Sequence, residues 1–407
     1  MTQPWHNDKW FVSPWNYMPE VTKDWKFTGK LKVHDLTLRD GEQQAGLCLR
    51  KEEKVRIAES AAAMGIHRIE AGIPVVSDED EAAIKEIVRR NLGPEIFALA
   101  RCRVADVQRV VDCGVSGAIV EIPCSEHMLE YAYKWSTQKA IELSVEATKY
   151  AHDQGLYVVF FPIDATRTEM NWYLDLIEQV ATHGHMDALA LVDTAGVLSP
   201  HSIPYLVQRT QERIHKPLEA HFHNDFGVGV ANTIAAMVSG VSVAHLTSMG
   251  IGERAGNTPL EETVMALKLL YGQDLGIKTE NFRQHSLLVR ELAGLVQPSN
   301  RPIVGDTVFT MEAGIITDWY HNVGDDHFLE VFPFVPELVG QEKESVILGK
   351  KSGAASIDIW LDKLAVDADK EQRAEILKRV KLMGIQRKGP ISELDFRAIV
   401  DQVVKNK

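Results

Sequence analysis

From residue 31 to about residue 272, short apolar β-branched runs alternate with longer stretches of helical period. This rhythm restricts the possible folds more than any other feature of the chain. Eight runs have strand character: LKVHDLTL (31–38), HRIEAG (67–72), EIFALA (95–100), SGAIVEI (116–122), LYVVFF (156–161), DALALV (187–192), PLEAHF (217–222) and VAHLTSM (243–249). Strands covered by helices on both faces read as near-continuous apolar runs, which is the mark of a parallel sheet. Between them lie amphipathic segments such as EEKVRIAESAAAMG (52–65), QKAIELSVEATKYAHDQG (138–155) and PLEETVMALKLLYG (259–272). Gly155 is suited to end the second of these in a left-handed cap. Eight β–α units in about 240 residues is the count of a TIM (β/α)8 barrel. A doubly wound open sheet shares the rhythm and is the alternative.

After about residue 275 the rhythm stops. Helical segments at 278–296, 357–364 and 370–384 then mix with an irregular Gly/Pro-containing stretch at 298–354, so a mainly helical C-terminal region is expected. At the other end, Trp5, Trp10, Trp15 and Trp25 follow neither a helical nor a strand period. Rings at that density call for cover, and we read an extended arm that packs onto another surface, such as a neighbouring subunit in a homodimer. The expected organisation is an arm at 1–29, a catalytic barrel at 30–275 and a helical subdomain at 276–407.

The formal charge of −13 argues against nucleic acid or an anionic membrane surface as partner. It still allows an anionic small substrate held by a local cluster of cations. Cys48, Cys102, Cys113 and Cys124 have neither CxxC nor disulfide-framework spacing, which fits reduced thiols in a cytoplasmic protein. No run approaches the roughly 18 apolar residues of a membrane span, and the N-terminus has no signal-peptide core.

A barrel places its chemistry at the C-terminal ends of its strands. The first run leads into LRDGEQ (38–43), the seventh ends in HFH (221–223), and the eighth runs into GIGERAGN (250–257). His221 and His223, two apart on an extended segment, point to one side and can reach one ion. Asp40, past the end of the neighbouring first strand, can add a carboxylate. Two His and one carboxylate with open positions suit a divalent cation that also receives substrate oxygens. The alternative is a pair of hydrogen-bonded rim histidines. GIGERAGN spaces its glycines one residue too long for a dinucleotide fingerprint and follows the last strand, not the first. Within it, Glu253 and Arg254 read as a pair that positions the loop.

Five segments in this order resemble one superfamily: HDLTLRDGEQQAG (34–46), HRIEAGIPVVSDED (67–80), LVDTAGVLSP (191–200), HFHNDFGVGVANTIAAMVSG (221–240) and GIGERAGNTPLEE (250–262). They look like the DRE-TIM metallolyases, most similar to the Claisen-condensing branch of isopropylmalate, homocitrate and citramalate synthases. A weaker likeness runs through 305–353. The resemblance implies a divalent metal (Mg, Mn or Zn) on Asp40, His221 and His223, with Asn257 near or on it. It implies that Arg39 stabilises the developing oxyanion and that Thr194 holds the substrate carboxylate. Glu42, Gln43 and Glu70 would orient ligands or substrate, and Glu42 is counted with the catalytic group. The substrates implied are a 2-oxo acid and an acyl-CoA, typically acetyl-CoA. The chain stops before the regulatory domain of long isopropylmalate synthases, so feedback through such a domain is not expected.

The pattern breaks in two places. The condensing relatives carry Glu in a segment like F-S-P-E-D-A-x-R, where this chain reads FFPIDATRT with Ile163. They carry F-x-H-E-x-G-I-H where it reads FTMEAGII, with Met311 and Ile316 in place of both histidines. Neither Ile nor Met transfers protons. Asp164, Tyr320 or His321 could substitute, and His321 is taken as the candidate acid/base. The alternatives are a retro-aldol or lyase reaction on a hydroxyacyl-CoA or 4-hydroxy-2-oxo acid, and a metal-binding relative without catalysis.

Overall fold

The computed structural model describes residues 3–404. Eight parallel strands close into a barrel in sequence order: β1 (Lys32–Asp35), β2 (Arg68–Glu70), β3 (Glu95–Arg101), β4 (Gly117–Pro123), β5 (Tyr157–Ile163), β6 (Ala188–Asp193), β7 (Leu218–Phe222) and β8 (Val243–Leu246). β1 pairs on both sides, with His34 opposite Arg68 of β2 and His245 of β8. Each strand overlaps one of the eight apolar runs, and closure excludes the open doubly wound sheet. Eight helices follow their strands: α1 (Lys51–Met64), α2 (Asp78–Arg90), α3 (Val104–Asp112), α4 (Thr137–Asp153), α5 (Met170–His183), α6 (Ile203–Arg213), α7 (Gly229–Val238) and α8 (Leu260–Leu270).

Local chemistry sets these ends. Ser77 Oγ accepts the Asp80 N–H at 3.0 Å to cap α2, whose first turn is acidic and whose last turn carries Arg89 and Arg90, as the helix dipole favours. α1 stops at Gly65 (φ 86°), whose N–H returns to the last carbonyls of the helix.

Inside the barrel, Phe97, Leu99, Ile119, Val159, Phe161, Ala188, Ala190 and Val192 form an apolar layer. Towards the N-terminal ends of the strands the filling turns polar. Arg68 lies over the rings of Phe97 and Tyr157 and pairs with Glu219 and Glu95, each at 2.7 Å. His245 Nε2 meets the other Glu219 oxygen at 2.7 Å. Burial opposes charge on Glu219, but bonds to His245 and His34 and the Arg68 charge hold its carboxyl below the usual range. Burial likewise holds the His34 imidazole down, to about 3. A buried ion network of this kind needs every partner in place.

The chain forms two compact units, one of residues 15–296 and one of residues 3–14 with 297–404. The periodicity stops at 275, yet α9 (Phe282–Ala293) still belongs to the barrel unit, where His285 Nδ1 meets Ser60 Oγ of α1 at 2.9 Å. In the second unit, α10 (Gly314–Val323), α11 (Ala354–Lys363), α12 (Lys370–Arg387) and α13 (Glu393–Val404) accompany a two-stranded pair, β9 (Thr310–Met311) and β10 (Ser345–Val346). Leu348, Ile357, Leu361, Ile376, Val380 and Phe396 centre its core. The N-terminal arm is divided. Phe11 N donates to Pro333 O and Val335 N to Lys9 O, both at 2.9 Å, so its first part zips onto residues 333–335 of this same chain. Trp25 instead packs on Tyr271 in the barrel unit, with ring centroids 5.1 Å apart. No helix among the described residues is long and apolar enough to cross a membrane.

Burial holds the His285 imidazole down, to about 4 against an ordinary 6.5. The unfolded chain therefore binds a proton that the folded chain refuses, and this contribution to stability shrinks as pH falls from 6.5 towards 4. His285→Leu should flatten the decline of stability between those pH values, measured as the difference between paired urea titrations. An unchanged slope would contradict the assignment.

Candidate metal centre at the barrel mouth

The strand β1 stops three residues short of its apolar run because the Asp35 carboxylate accepts the Thr37 N–H at 2.7 Å and turns the chain. Arg39 N and Gly41 N then both donate to Leu36 O, at 3.1 and 3.0 Å. This tight turn faces Arg39 and Asp40 inward, where they are 5 and 2% exposed.

Asp40 Oδ2 lies 3.3 Å from His221 Nε2 and 3.5 Å from His223 Nε2, and the two Nε2 atoms are 3.3 Å apart. Three potential ligand atoms from two strand ends thus converge within 4.8 Å. Burial opposes charge on Asp40, but the Arg39 guanidinium and both imidazoles outweigh it and hold the carboxyl far below its usual range. Burial also drives His221 towards the neutral form, which keeps a ring lone pair for a ligand bond. A carboxylate beside two imidazole nitrogens is the donor set of a divalent cation.

Charge balance points the same way. Arg39 Nε lies 2.9 Å from Glu70 Oε1, off-line for a hydrogen bond, and its Nη1 reaches Asp40 Oδ2 at 3.5 Å and Gln43 Oε1 at 3.2 Å. Glu121 on β4 faces the same guanidinium. One guanidinium against three carboxyl groups would leave two negative charges unbalanced if all three were ionised. Burial accordingly pushes the carboxyls of Glu70 and Glu121 up to about 7, against the pull of Arg39. A divalent cation would supply the missing charge.

The loop 250–257 sets Asn257 beside this cluster. Asn257 forms a backbone bridge with His223, and its Nδ2 donates to Ile251 O at 3.2 Å. Glycine is required at two turns: a Cβ on Gly252 (φ 147°) would fall 2.3 Å from Asn257 Nδ2, and one on Gly256 (φ 84°) 1.9 Å from Gly250 O. Arg254 does not pair with Glu253. Its Nε and Nη2 grip both oxygens of Asp225 at 2.9 Å, and Nη2 also meets Thr194 O. A charged fork reaches across to HND and DTAG because bidentate geometry favours that carboxylate over a sequence neighbour.

The other expected residues fall as follows. Thr194 follows β6, and its Oγ1 accepts the Asp164 N–H at 2.8 Å, leaving its own proton to donate. Glu42 turns away: Leu49 N donates to Oε1 at 2.7 Å and Lys54 Nζ meets Oε2 at 2.5 Å. Its carboxylate braces the loop. His321 sits on α10 in the other compact unit, with Met311 and Ile316. Ile163 packs against the apolar layer of the barrel. Cys124 is buried and its thiol is pushed upward by burial, which makes it a core residue.

Two groups escaped the sequence reading. Glu121 breaks an otherwise apolar strand, SGAIVEI, and that interruption was the available signal. Lys54 lies on α1 with only 2% of its side chain exposed, and its ammonium bridges Glu42 and Asp80. Its helical position gave no sign of this, since Lys on an amphipathic helix normally faces water.

Comparison with known proteins assigns the chain to a family. The HMGL-like family matches residues 30–289. Homocitrate synthase AksA of Methanothermobacter thermautotrophicus is 36% identical, over 96% of this chain and 97% of its own. The 2-isopropylmalate synthase of Methanocaldococcus jannaschii is 38% identical, over 92% of this chain and 72% of its own. Among solved structures, the Bacillus subtilis HMG-CoA lyase superposes with a TM-score of 0.60 at 20% identity, covering 67% of this chain and 97% of the lyase, and shares the fold.

The bridge at Lys54 makes a testable point. Lys54→Met strands the carboxylates of Glu42 and Asp80 beside each other and should lower stability by about 3 kcal/mol in urea titration. Hydrogen exchange at Leu49 N–H, which Glu42 holds, should quicken in parallel. Wild-type stability with unchanged exchange would show that the bridge braces nothing.

Proposed function

The chain belongs to the HMGL-like family, and on that footing we propose that it condenses an acyl-CoA, typically acetyl-CoA, with a 2-oxo acid in a Claisen reaction that requires a divalent cation. The observation that carries this reading is the meeting of Asp40 Oδ2 with Nε2 of His221 and of His223, with Arg39 alongside. A Mg, Mn or Zn ion held by those residues, beside Asn257, would supply a Lewis acid for the ketone of a 2-oxo acid. The donor set and the unbalanced buried charge both fit such an ion.

Each protein group then has a defined task. Arg39 offers Nη2, which has no partner in the resting site, to the negative charge that develops on the ketone oxygen. Glu70 and Gln43 hold that guanidinium in place. Thr194 donates its hydroxyl proton to the substrate carboxylate. Glu42 acts at one remove, by fixing the turn that carries Arg39 and Asp40. Beside Arg39 and Gln43 a cavity of about 400 Å3 opens between Leu38, Leu47 and Ile73, which suits the side chain of the 2-oxo acid. The named relatives that span nearly the whole chain are synthases, which supports condensation over cleavage.

Thiol release from acetyl-CoA should require both a 2-oxo acid and Mn2+. Arg39→Met should lower kcat by about 100-fold to 1,000-fold, the cost of one oxyanion donor. Asp40→Asn and His221→Ala should lose Mn2+ binding in calorimetry. Thiol release that persists in EDTA, or cleavage of a hydroxyacyl-CoA without condensation, would refute the reading.

A further inference from the structure

We propose that His127, oriented by Asp164, is the base that takes the proton from the acyl-CoA. The inference rests on the condensation reading above. Such a reaction needs a proton acceptor for the carbon beside the thioester carbonyl. The lone pairs of His221 and His223 are turned towards each other and Asp40, and Ile163 has none to offer.

One residue beyond Ile163, the chain takes a left-handed turn at Asp164 (φ 62°), pinned by its N–H on Thr194 Oγ1 at 2.8 Å. The side chain is buried and both of its oxygens are held. Ser125 Oγ donates at 2.6 Å, Arg167 Nε and Nη2 at 2.6 and 3.1 Å, and His127 Nε2 lies 2.9 Å away. Three of these donors share Oδ2 and Arg167 Nε holds Oδ1, so Asp164 is spent on fixing its neighbours. It is the positioning residue.

His127 is the group it positions. Donation from Nε2–H to Asp164 leaves the lone pair on Nδ1, the arrangement in which a carboxylate fixes the tautomer of a histidine base. The imidazole side chain keeps 45% of its surface, whereas the residues of the metal cluster are 2–5% exposed. An acyl-CoA arrives from solvent, so a base at the open rim can meet it while the buried cluster holds the 2-oxo acid. Ser125 and His127 follow β4, Asp164 follows β5 and Thr194 follows β6, all at the strand ends that also carry Asp40 and His221. The charged groups around His127 are Asp164 and Arg167 from the loop after β5, and Glu126 beside it. Glu126 is itself engaged, by Thr168 Oγ1 and by Glu169 N at 3.2 Å.

In the proposed step Nδ1 takes a proton from the α-carbon, and the C–H electron pair becomes the enolate of the thioester. The enolate carbon bonds to the ketone carbon of the 2-oxo acid, whose π pair moves to its own oxygen. That oxygen regains a proton from the imidazolium. Water then cleaves the C–S bond and CoA leaves as its thiol.

The test compares wild type with His127→Ala, His127→Gln and His321→Ala. Both His127 variants should lose about 100-fold or more in kcat for thiol release. Binding of Mn2+ and 2-oxo acid in calorimetry should stay at the wild-type level. Added imidazole should restore part of the rate to His127→Ala, which a packing role would not allow. The proposal is overturned by wild-type turnover in His127→Ala, by a loss that imidazole does not relieve, or by an equal imidazole-responsive loss in His321→Ala alone. If the wild type itself binds Mn2+ and the 2-oxo acid yet releases no thiol, the condensation reading fails first and takes this base with it.

Discussion

Arg39 faces the buried carboxyls of Asp40 and Glu70 and the half-buried one of Glu121, and the organisation of the barrel mouth follows from that imbalance. A single guanidinium cannot neutralise three carboxylates in a low dielectric. Asp40, which has both imidazoles beside it as well as the guanidinium, keeps its charge, whereas burial raises the carboxyls of the two glutamates. The groups come from the turn after β1, the end of β2 and the interior of β4, so only a closed barrel brings them together. A cation lodged against Asp40 would relieve what the protein alone leaves unpaired.

The strand β7 connects this mouth with the rest of the interior. Glu219, His221 and His223 occupy alternate positions, so one face of the chain runs from the polar network with Arg68 and His245 up to the ligand atoms. His221 and His245 lie with ring centroids 5.6 Å apart, adjoining the two layers. Fixing Glu219 by hydrogen bonds therefore also fixes the height at which the two histidines emerge. On the far side of the mouth, Arg254 ties the glycine loop to Asp225 and to Thr194. Rigid placement of this kind lets buried dipoles and charges act without reorganisation.

Much of this was legible in the sequence. Eight apolar runs gave eight strands because a strand covered on both faces must be apolar nearly throughout. The meeting of Asp40, His221 and His223 follows from the period of two on a strand together with the rule that chemistry gathers at strand ends. What escaped depends on contacts between residues far apart in the chain. Lys54 looked like an ordinary helix-surface lysine until Glu42 and Asp80 closed over it. Arg254 bypasses Glu253 for Asp225, a choice made by loop geometry. Residues 3–14 pair with 333–335 through backbone atoms, which carry no sequence signature. The His127–Asp164 pair joins two loops 37 positions apart, and neither loop announces the other.

The central claim is that the charge imbalance around Arg39 is answered by a divalent cation on Asp40, His221 and His223. The most direct measurement is anomalous scattering from crystals grown with Mn2+ and a 2-oxo acid. The account predicts one manganese peak at about 2.0–2.3 Å from Asp40 Oδ2 and from Nε2 of both histidines, with substrate oxygens completing the shell. Manganese bound elsewhere, or substrate bound with no peak between these three residues, would contradict it.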